Sequence, residues 1–172
     1  MRNYLLLAAF IPLHAFAQWA GWDYDYDQEK KTWAEIQAQI PPYPKLENLR
    51  KFEMDAAVAH SYFVDAASVS VGEDGVIRYT LMVRTSGGAT NVSFEGIRCD
   101  VREQKSYAFG RPDGTWSRAR DPKWQFIRPS AVSGHHYLLH REYFCNALRF
   151  PATLQEINQR LRYGVQKRAP AD

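Results

Sequence analysis

Residues 76–85 alternate between apolar and more polar side chains, and this alternation constrains the fold more than any other feature of the sequence. The apolar side consists of Ile77, Tyr79, Leu81 and Val83. A period of two predicts a half-buried strand. The preceding Gly72-Glu73-Asp74-Gly75 has turn composition and would pair this strand with residues 67–71 in a hairpin. We therefore expect an antiparallel sheet at the centre of the chain.

Further strands follow at short spacing. A turn at Ser86-Gly87-Gly88 leads into residues 90–99, where Glu95-Gly96 predicts a bulge because glycine in a strand marks a kink. Residues 104–110 and 115–117 form the next pair, joined by a turn that ends in Asp113-Gly114. The pattern indicates a meander of about four to five strands.

The last third changes to a helical period. Residues 136–148 carry one apolar stripe, and Pro151 ends that segment. Thr153 and Glu156 have capping-box spacing and predict a second helix that ends at Gly164. Strands followed by helices indicate an α+β fold, with the C-terminal helices packed on one face of the sheet.

The N-terminal part differs in composition. Trp33, Ile36 and Ile40 have helical spacing, which predicts a helix over residues 28–40 that Pro41-Pro42 stops. The predicted organisation is a signal peptide (1–17), an N-terminal arm with an acidic-aromatic segment, this helix and a Pro-rich linker (18–51), one α+β domain (52–164) and a tail (165–172).

The first residues predict export. Arg2 precedes an apolar stretch, and Ala15-Phe16-Ala17 is an A-x-A cleavage site, so we expect cleavage after Ala17. The alternative is an uncleaved anchor, although the stretch falls short of the roughly 20 apolar residues that span a bilayer. No cysteine stands at the cut to carry a lipid, so we expect a soluble periplasmic protein with no membrane span in the mature chain.

Two cysteines, Cys99 and Cys145, are present, and an even pair in an exported chain is most simply a disulfide. The competing interpretation is a nucleophilic thiol, which oxidation in that compartment disfavours. The formal net charge is +3, with basic and acidic residues interspersed, so a dedicated nucleic-acid binder is not expected.

The central segments resemble a known family. They are Phe63-Val64-Asp65, residues 69–81 (VSVGEDGVIRYTL), residues 91–99 (NVSFEGIRC) and residues 113–120 (DGTWSRAR). They are similar to the cryptic neisserial protein-like family of proteobacterial envelope proteins. The resemblance implies a periplasmic protein, often a predicted lipoprotein, with no established biochemical activity. This chain departs from the lipoprotein pattern because Ala17-Gln18 stands where an acylated cysteine would be.

The best candidate binding surface combines aromatic and guanidinium side chains. It consists of Trp116, Arg118, Arg120 and Trp124. Flat rings and guanidinium groups suit sugars and anionic polymers, so the hypothesis is a weak peptidoglycan or glycan contact. The structural alternative is a solvated hairpin whose tryptophans close the end of the core.

Other candidate sites are weaker. His136 and His140 lie one helical turn apart, as two zinc or copper ligands would, but no third ligand is evident, so no metal or other cofactor is predicted. The alternating acids Asp23, Asp25 and Asp27 lack the glycine and glutamate of an EF-hand loop and indicate a solvated linker. Glu95 is the one carboxylate nominated as a general base, and a surface residue at a bulge is the simpler interpretation.

No catalytic residue is assigned. We expect a non-catalytic binding or interaction module of the cell envelope, whose partner is an envelope protein or peptidoglycan. The alternatives are a small periplasmic hydrolase, which would need a cleft with convergent polar groups, and a purely structural protein whose Trp33 helix docks on a neighbour.

Overall fold

The computed structural model describes residues 32–54, 59–129 and 134–165. The predicted signal peptide, the acidic run at residues 23–27 and most of the predicted tail lie outside these ranges. The elements are β1 (Leu49–Phe52, preceded by a 3-10 turn at Leu46–Asn48), β2 (Ser61–Val71), β3 (Val76–Arg84), β4 (Thr90–Arg98), β5 (Glu103–Gly110), β6 (Trp116–Arg118), β7 (Gln125–Phe126), α1 (Gly134–Leu138), a π-helix (Leu139–Phe144) and α2 (Leu154–Tyr163).

The strands form one antiparallel sheet. β1 to β6 lie side by side in chain order, and β7 pairs with the start of β5 while β6 pairs with its end. The predicted hairpin between β2 and β3 is confirmed, with Val71 opposite Ile77. The sheet has seven strands instead of about four to five, because β1 begins within the predicted arm and β7 is only two residues long, too short for a strand pattern.

A bulge lies where β4 meets β5, but the extra residue is on the neighbouring strand. Phe94 pairs with Ala108 and Glu95 with Ser106, which leaves Tyr107 of β5 unpaired. A Cβ atom built on Gly96 would lie 2.7 Å from the Tyr107 hydroxyl oxygen. Gly96 therefore makes room for the tyrosine that the bulge turns across the sheet.

The C-terminal helices cover one face of the sheet. The core between them includes Phe52, Tyr62, Val64, Ile77, Tyr79, Leu81, Ile97, Leu139, Phe144, Ile157 and Leu161. The Cys99–Cys145 disulfide is present and joins the end of β4 to the end of the π-helix. In α2, the Thr153 side chain accepts from the Glu156 backbone and the Glu156 side chain accepts in return, so the predicted capping box is confirmed.

The helix predicted over residues 136–148 ends at Phe144, and its second part is a π-helix. α1 continues as the π-helix and stops at Phe144, because Cys145 takes an extended conformation, pairs with Pro151 and bonds to Cys99. Leu148, expected on the apolar stripe, is 76% exposed in the following turn.

Residues 33–45, which we call the covering segment, lie on the opposite face of the sheet. The helix predicted over residues 28–40 is wrong for its described part, since residues 32–45 contain no helix or strand. The physical reason is that Ile36 donates its backbone N–H to Asp74 and accepts from Arg78 at its carbonyl, so neither group is free for a helix. Both faces of β3 are consequently buried.

Among the described residues, no helix combines the length and apolar character needed to cross a membrane.

Candidate functional site

A buried carboxylate lies between the sheet and α1. Glu95 projects from β4 on the helix side and is 4% exposed. Its Oε2 accepts from the Tyr79 hydroxyl at 2.8 Å, and its Oε1 accepts from the Ser93 hydroxyl at 2.6 Å. Nε2 of His136 lies 2.7 Å from Oε2. β3, β4 and α1 thus meet at one carboxylate, because Tyr79 pairs directly with Glu95 across the two strands.

The surroundings of Glu95 favour its charged form. Burial alone would raise its pKa, but the His136 charge and the hydrogen bonds from His136, Ser93 and Tyr79 outweigh burial and hold the pKa well below its usual range. A general base works best when its pKa lies near the working pH. A carboxylate that stays ionised and fully hydrogen-bonded is suited instead to holding α1 on the sheet.

His136 and His140, the two candidate metal ligands, have different hydrogen-bond partners. His136 contacts Glu95, whereas Nε2 of His140 lies 3.2 Å from the carbonyl oxygen of Cys99. Within residues 32–54, 59–129 and 134–165, no group of three or more His, Cys, Asp or Glu side chains is arranged to hold a metal ion. Each imidazole is engaged by an oxygen of the protein itself.

His135, beside them, packs between two other rings. Its ring stacks on Tyr62 with centroids 5.0 Å apart and lies 4.1 Å from the ring of His136. Burial, and then the nearby His136 charge, lower the pKa of His135 to about 4. His135 therefore stays neutral at physiological pH.

A second carboxylate cluster binds the covering segment to the opposite face. Glu35 accepts from Lys105 at 2.7 Å, from the Tyr107 hydroxyl at 2.8 Å and from the Trp124 indole N–H at 3.1 Å. Burial opposes ionisation of Glu35, but these donors prevail and lower its pKa. Glu35 was not recognisable as a site residue from the sequence, because its surroundings predict a helix.

A buried ion pair completes this attachment. Asp74 and Arg78 lie 2.6 Å apart, with side-chain exposures of 1% and 7%. Asp74 also binds the N–H of Ile36, and Arg78 binds its carbonyl oxygen. Next to them, Trp33 donates its indole N–H to the Asp74 carbonyl, and its ring lies 3.6 Å from the Arg98 guanidinium carbon. Trp33 therefore makes its hydrogen bond and its cation–π contact within this chain.

The four residues of the candidate binding surface divide into two kinds. The tryptophans face the covering segment: Trp116 donates to the Pro41 carbonyl at 3.0 Å and packs on Tyr43, and Trp124 donates to Glu35. Both indoles are partly buried, whereas Arg118 and Arg120 are exposed. The arginines are the members that remain accessible to a ligand.

Each of these arginines borders a depression. The first, of about 310 Å³, is lined by Glu35, Ile36, Gln37, Ala38, Lys105, Tyr107, Arg118, Ala119 and Pro122. The second, of about 250 Å³, is lined by Gln104, Ser106, Phe109, Ala119, Arg120, Asp121, Pro122, Lys123 and Gln125. Ala119 and Pro122 line both, so the depressions adjoin along the segment after β6.

Comparison with known proteins gives a family. The model of the CNP1-like family matches residues 28–162 of the 172-residue chain. The chain belongs to the CNP1-like family. The match extends from before the covering segment to α2, so both faces of this CNP1-like sheet and their covers lie within it. No curated protein and no solved structure matches the chain.

The family name agrees with the resemblance drawn from the central strands. Those segments contribute Asp74 and Arg78 to one face of the CNP1-like sheet and Glu95 to the other. The sequence nominated Glu95 without a partner, and the structure supplies His136, which is 41 residues away. Lys105 and Tyr107 carried no signal in the sequence, since nothing local links them to Glu35.

Proposed function

We propose that this CNP1-like protein is an exported periplasmic binding module of the cell envelope, without catalytic activity, that contacts peptidoglycan through the segment after β6. The observation that carries the proposal is the pair of adjoining depressions, with Arg118 on one and Arg120 on the other. Among the described residues neither arginine forms an ion pair, so both can meet an anionic ligand.

Export is supported by the disulfide and by the A-x-A site. A Cys99–Cys145 bond persists in oxidising compartments, of which the periplasm is one. Processing should yield a chain that begins at Gln18, measurable as the intact mass of protein recovered from the periplasmic fraction. A product that retains Met1, or one with two free thiols, would contradict this part of the proposal.

The chemistry of the depressions suits a polymer that carries both hydroxyl and carboxylate groups. Gln104, Ser106 and Gln125 offer hydrogen-bond donors and acceptors, and the guanidinium groups can each bind a carboxylate in a bidentate way. Peptidoglycan has sugar hydroxyls and peptide carboxylates along one strand. A surface open to solvent can follow such a polymer, whereas an enclosed pocket would select a small molecule.

The test is sedimentation with purified sacculi. The native protein should pellet with sacculi, and Arg118→Ala with Arg120→Ala should abolish most of that binding. The matched control is Lys51→Ala with Arg162→Ala, which removes the same charge from exposed positions on β1 and α2. Equal binding by the native protein and the Arg118/Arg120 variant would reject the surface, and no pelleting of the native protein would reject peptidoglycan as ligand.

A hydrolase remains the second candidate because Glu95 and His136 form a carboxylate–imidazole pair, as bases oriented for catalysis do. Incubation with sacculi followed by chromatography of the supernatant distinguishes the two. Release of soluble fragments that His136→Ala abolishes would establish catalysis and replace the binding proposal.

A further inference from the structure

The disulfide joins two loops that carry exposed residues. One loop is residues 99–102, after β4, and the other is residues 145–151, between the π-helix and α2. We call them together the disulfide tip. Their half-cystines are buried, with Cα atoms 5.6 Å apart, whereas residues 146–150 are all exposed. The bond therefore holds an exposed turn beside the end of the sheet.

Hydrogen bonds within the exposed turn fix its backbone conformation. Asn146 accepts at its side-chain oxygen from the N–H groups of Leu148 and Phe150, at 2.9 and 3.0 Å. Its backbone N–H binds the Phe150 carbonyl, and its carbonyl accepts from Arg149. Arg149 takes a φ of 62°, which such a turn requires. A surface already fixed in this way loses little conformational freedom on binding.

The disulfide tip exposes large apolar side chains to solvent. Leu148 is 76% exposed, Phe150 60% and Val101 41%. Leu148 and Phe150 flank Arg149, so the turn presents an apolar, cationic, apolar sequence. Exposed apolar groups close together on one turn, as Leu148 and Phe150 are, are typical of an interaction surface.

The charge on the disulfide tip is positive. Arg102 and Arg149 both lie near His140: burial lowers the pKa of His140, and these two guanidinium groups lower it further. In the part of the chain that the structure describes, neither arginine forms an ion pair, and Asp100 on the same loop pairs with Arg98. An anionic surface is the complement of this arrangement.

We propose that the disulfide tip docks the protein on an anionic phospholipid surface, with Leu148 and Phe150 entering the headgroup region and Arg102 and Arg149 binding phosphates. A stable protein interface buries roughly 800 Å² on each partner, which a turn of a few residues does not offer. A bilayer takes up such a turn, because apolar side chains are stabilised at the acyl boundary and basic ones at the lipid phosphates.

The experiment uses the exported, processed protein with its N-terminus defined by mass. Vesicles of phosphatidylethanolamine with phosphatidylglycerol are sedimented beside vesicles of phosphatidylcholine. The native protein should pellet with the anionic vesicles, less so at high salt, and remain in solution with phosphatidylcholine. The variant Leu148→Ser with Phe150→Ser should lower the partition by on the order of tenfold or more.

The arginines are tested by Arg102→Asn with Arg149→Asn, since both have positive φ and asparagine tolerates that conformation. This variant should also lose about tenfold or more in partition on anionic vesicles. Leu46→Ser is the matched control, because Leu46 is likewise 76% exposed but lies before β1. It should bind as the native protein does.

Three results would overturn the proposal. They are native protein that stays in solution with anionic vesicles, tip variants that bind as the native protein does, and self-association through the tip in sedimentation velocity without vesicle binding. Arg118→Ala with Arg120→Ala should leave vesicle binding unchanged. Failure of the peptidoglycan proposal and failure of this one are therefore distinguishable.

Discussion

Replacing His135 by phenylalanine should remove much of the acid sensitivity of this fold. The imidazole stacks on Tyr62 at 5.0 Å and lies 4.1 Å from His136. Burial, followed by the charge of His136, lowers its pKa from 6.5 to about 4, although Glu95 opposes the shift. Phenylalanine keeps a ring against Tyr62 and removes the titrating group.

The sign follows from proton linkage. The unfolded chain binds a proton at His135 below about pH 6.5, whereas the folded protein binds it only below about pH 4. The free energy of unfolding therefore falls as the pH drops from 6.5 to 4. A shift of this size corresponds to roughly 3 kcal/mol at most. Glu95 acts lower: its low pKa gives stability that is complete above its unfolded value near 4.5 and is lost below it.

The assay is urea unfolding followed by tryptophan fluorescence, at steps from about pH 7 to about pH 4. Over that interval the native protein should lose roughly 3 kcal/mol more than His135→Phe does. His140, whose pKa is also lowered, contributes the same slope to both proteins. His60→Phe, which makes the same ring replacement at an exposed imidazole, is the control variant. Parallel curves for the native protein and His135→Phe would refute the argument.

Three further changes test the contacts that hold the two faces. Asp74→Asn removes the charge that faces buried Arg78, so it should lower the free energy of unfolding in urea by about 3–5 kcal/mol. Asp121→Asn, in an exposed pair with Lys123, should cost under about 1 kcal/mol. Equal costs would contradict the buried-pair argument. Gly96→Ala should cost about 1–3 kcal/mol of stability, because its Cβ would lie 2.7 Å from the Tyr107 hydroxyl oxygen. Gly87→Ala should be nearly neutral, since its Cβ would meet only Thr85 at 4.0 Å. Calorimetric melting that ranks the two variants in reverse would show that β5 moves to accommodate the added methyl group. Cys99→Ser with Cys145→Ser should lower the free energy of unfolding by about 4 kcal/mol for a separation of 46 residues, and an unchanged urea midpoint would show that the bond does not stabilise the fold.

The parts of the fold that were predictable are those that local sequence encodes. The hairpin between β2 and β3 follows from turn residues at 72–75 beside an alternating strand. The start of α2 follows from Thr153 and Glu156, which satisfy each other's backbone groups within one turn. Both elements are determined by contacts between residues close in sequence, so neither prediction requires knowledge of tertiary contacts.

The covering segment was not predictable in the same way. Its Trp33 and Ile36 have helical spacing, and an isolated peptide could form a turn of helix there. Its backbone instead meets Asp74 and Arg78, about 40 positions along the chain, and those contacts outweigh a weak local preference. The binding residues were nominated on their type alone, and type does not show that Trp116 and Trp124 are bound by the covering segment while Arg118 and Arg120 stay exposed.

On both faces of the sheet, a hydrogen-bonded carboxylate attaches the element that covers the face. On one face Glu95 holds α1 through His136, and on the other Asp74 and Glu35 hold the covering segment. Burying a carboxylate costs free energy unless both of its oxygens accept hydrogen bonds. Only a few positions of the covering element supply those donors, whereas an apolar contact is compatible with many positions. Glu95, which the sequence offered as a general base, therefore fixes the position of α1 instead. The cations on which the two proposals depend are Arg118 at the end of β6, Arg120 just beyond it, and Arg102 and Arg149 on the disulfide tip, and none of them forms an ion pair within the described residues.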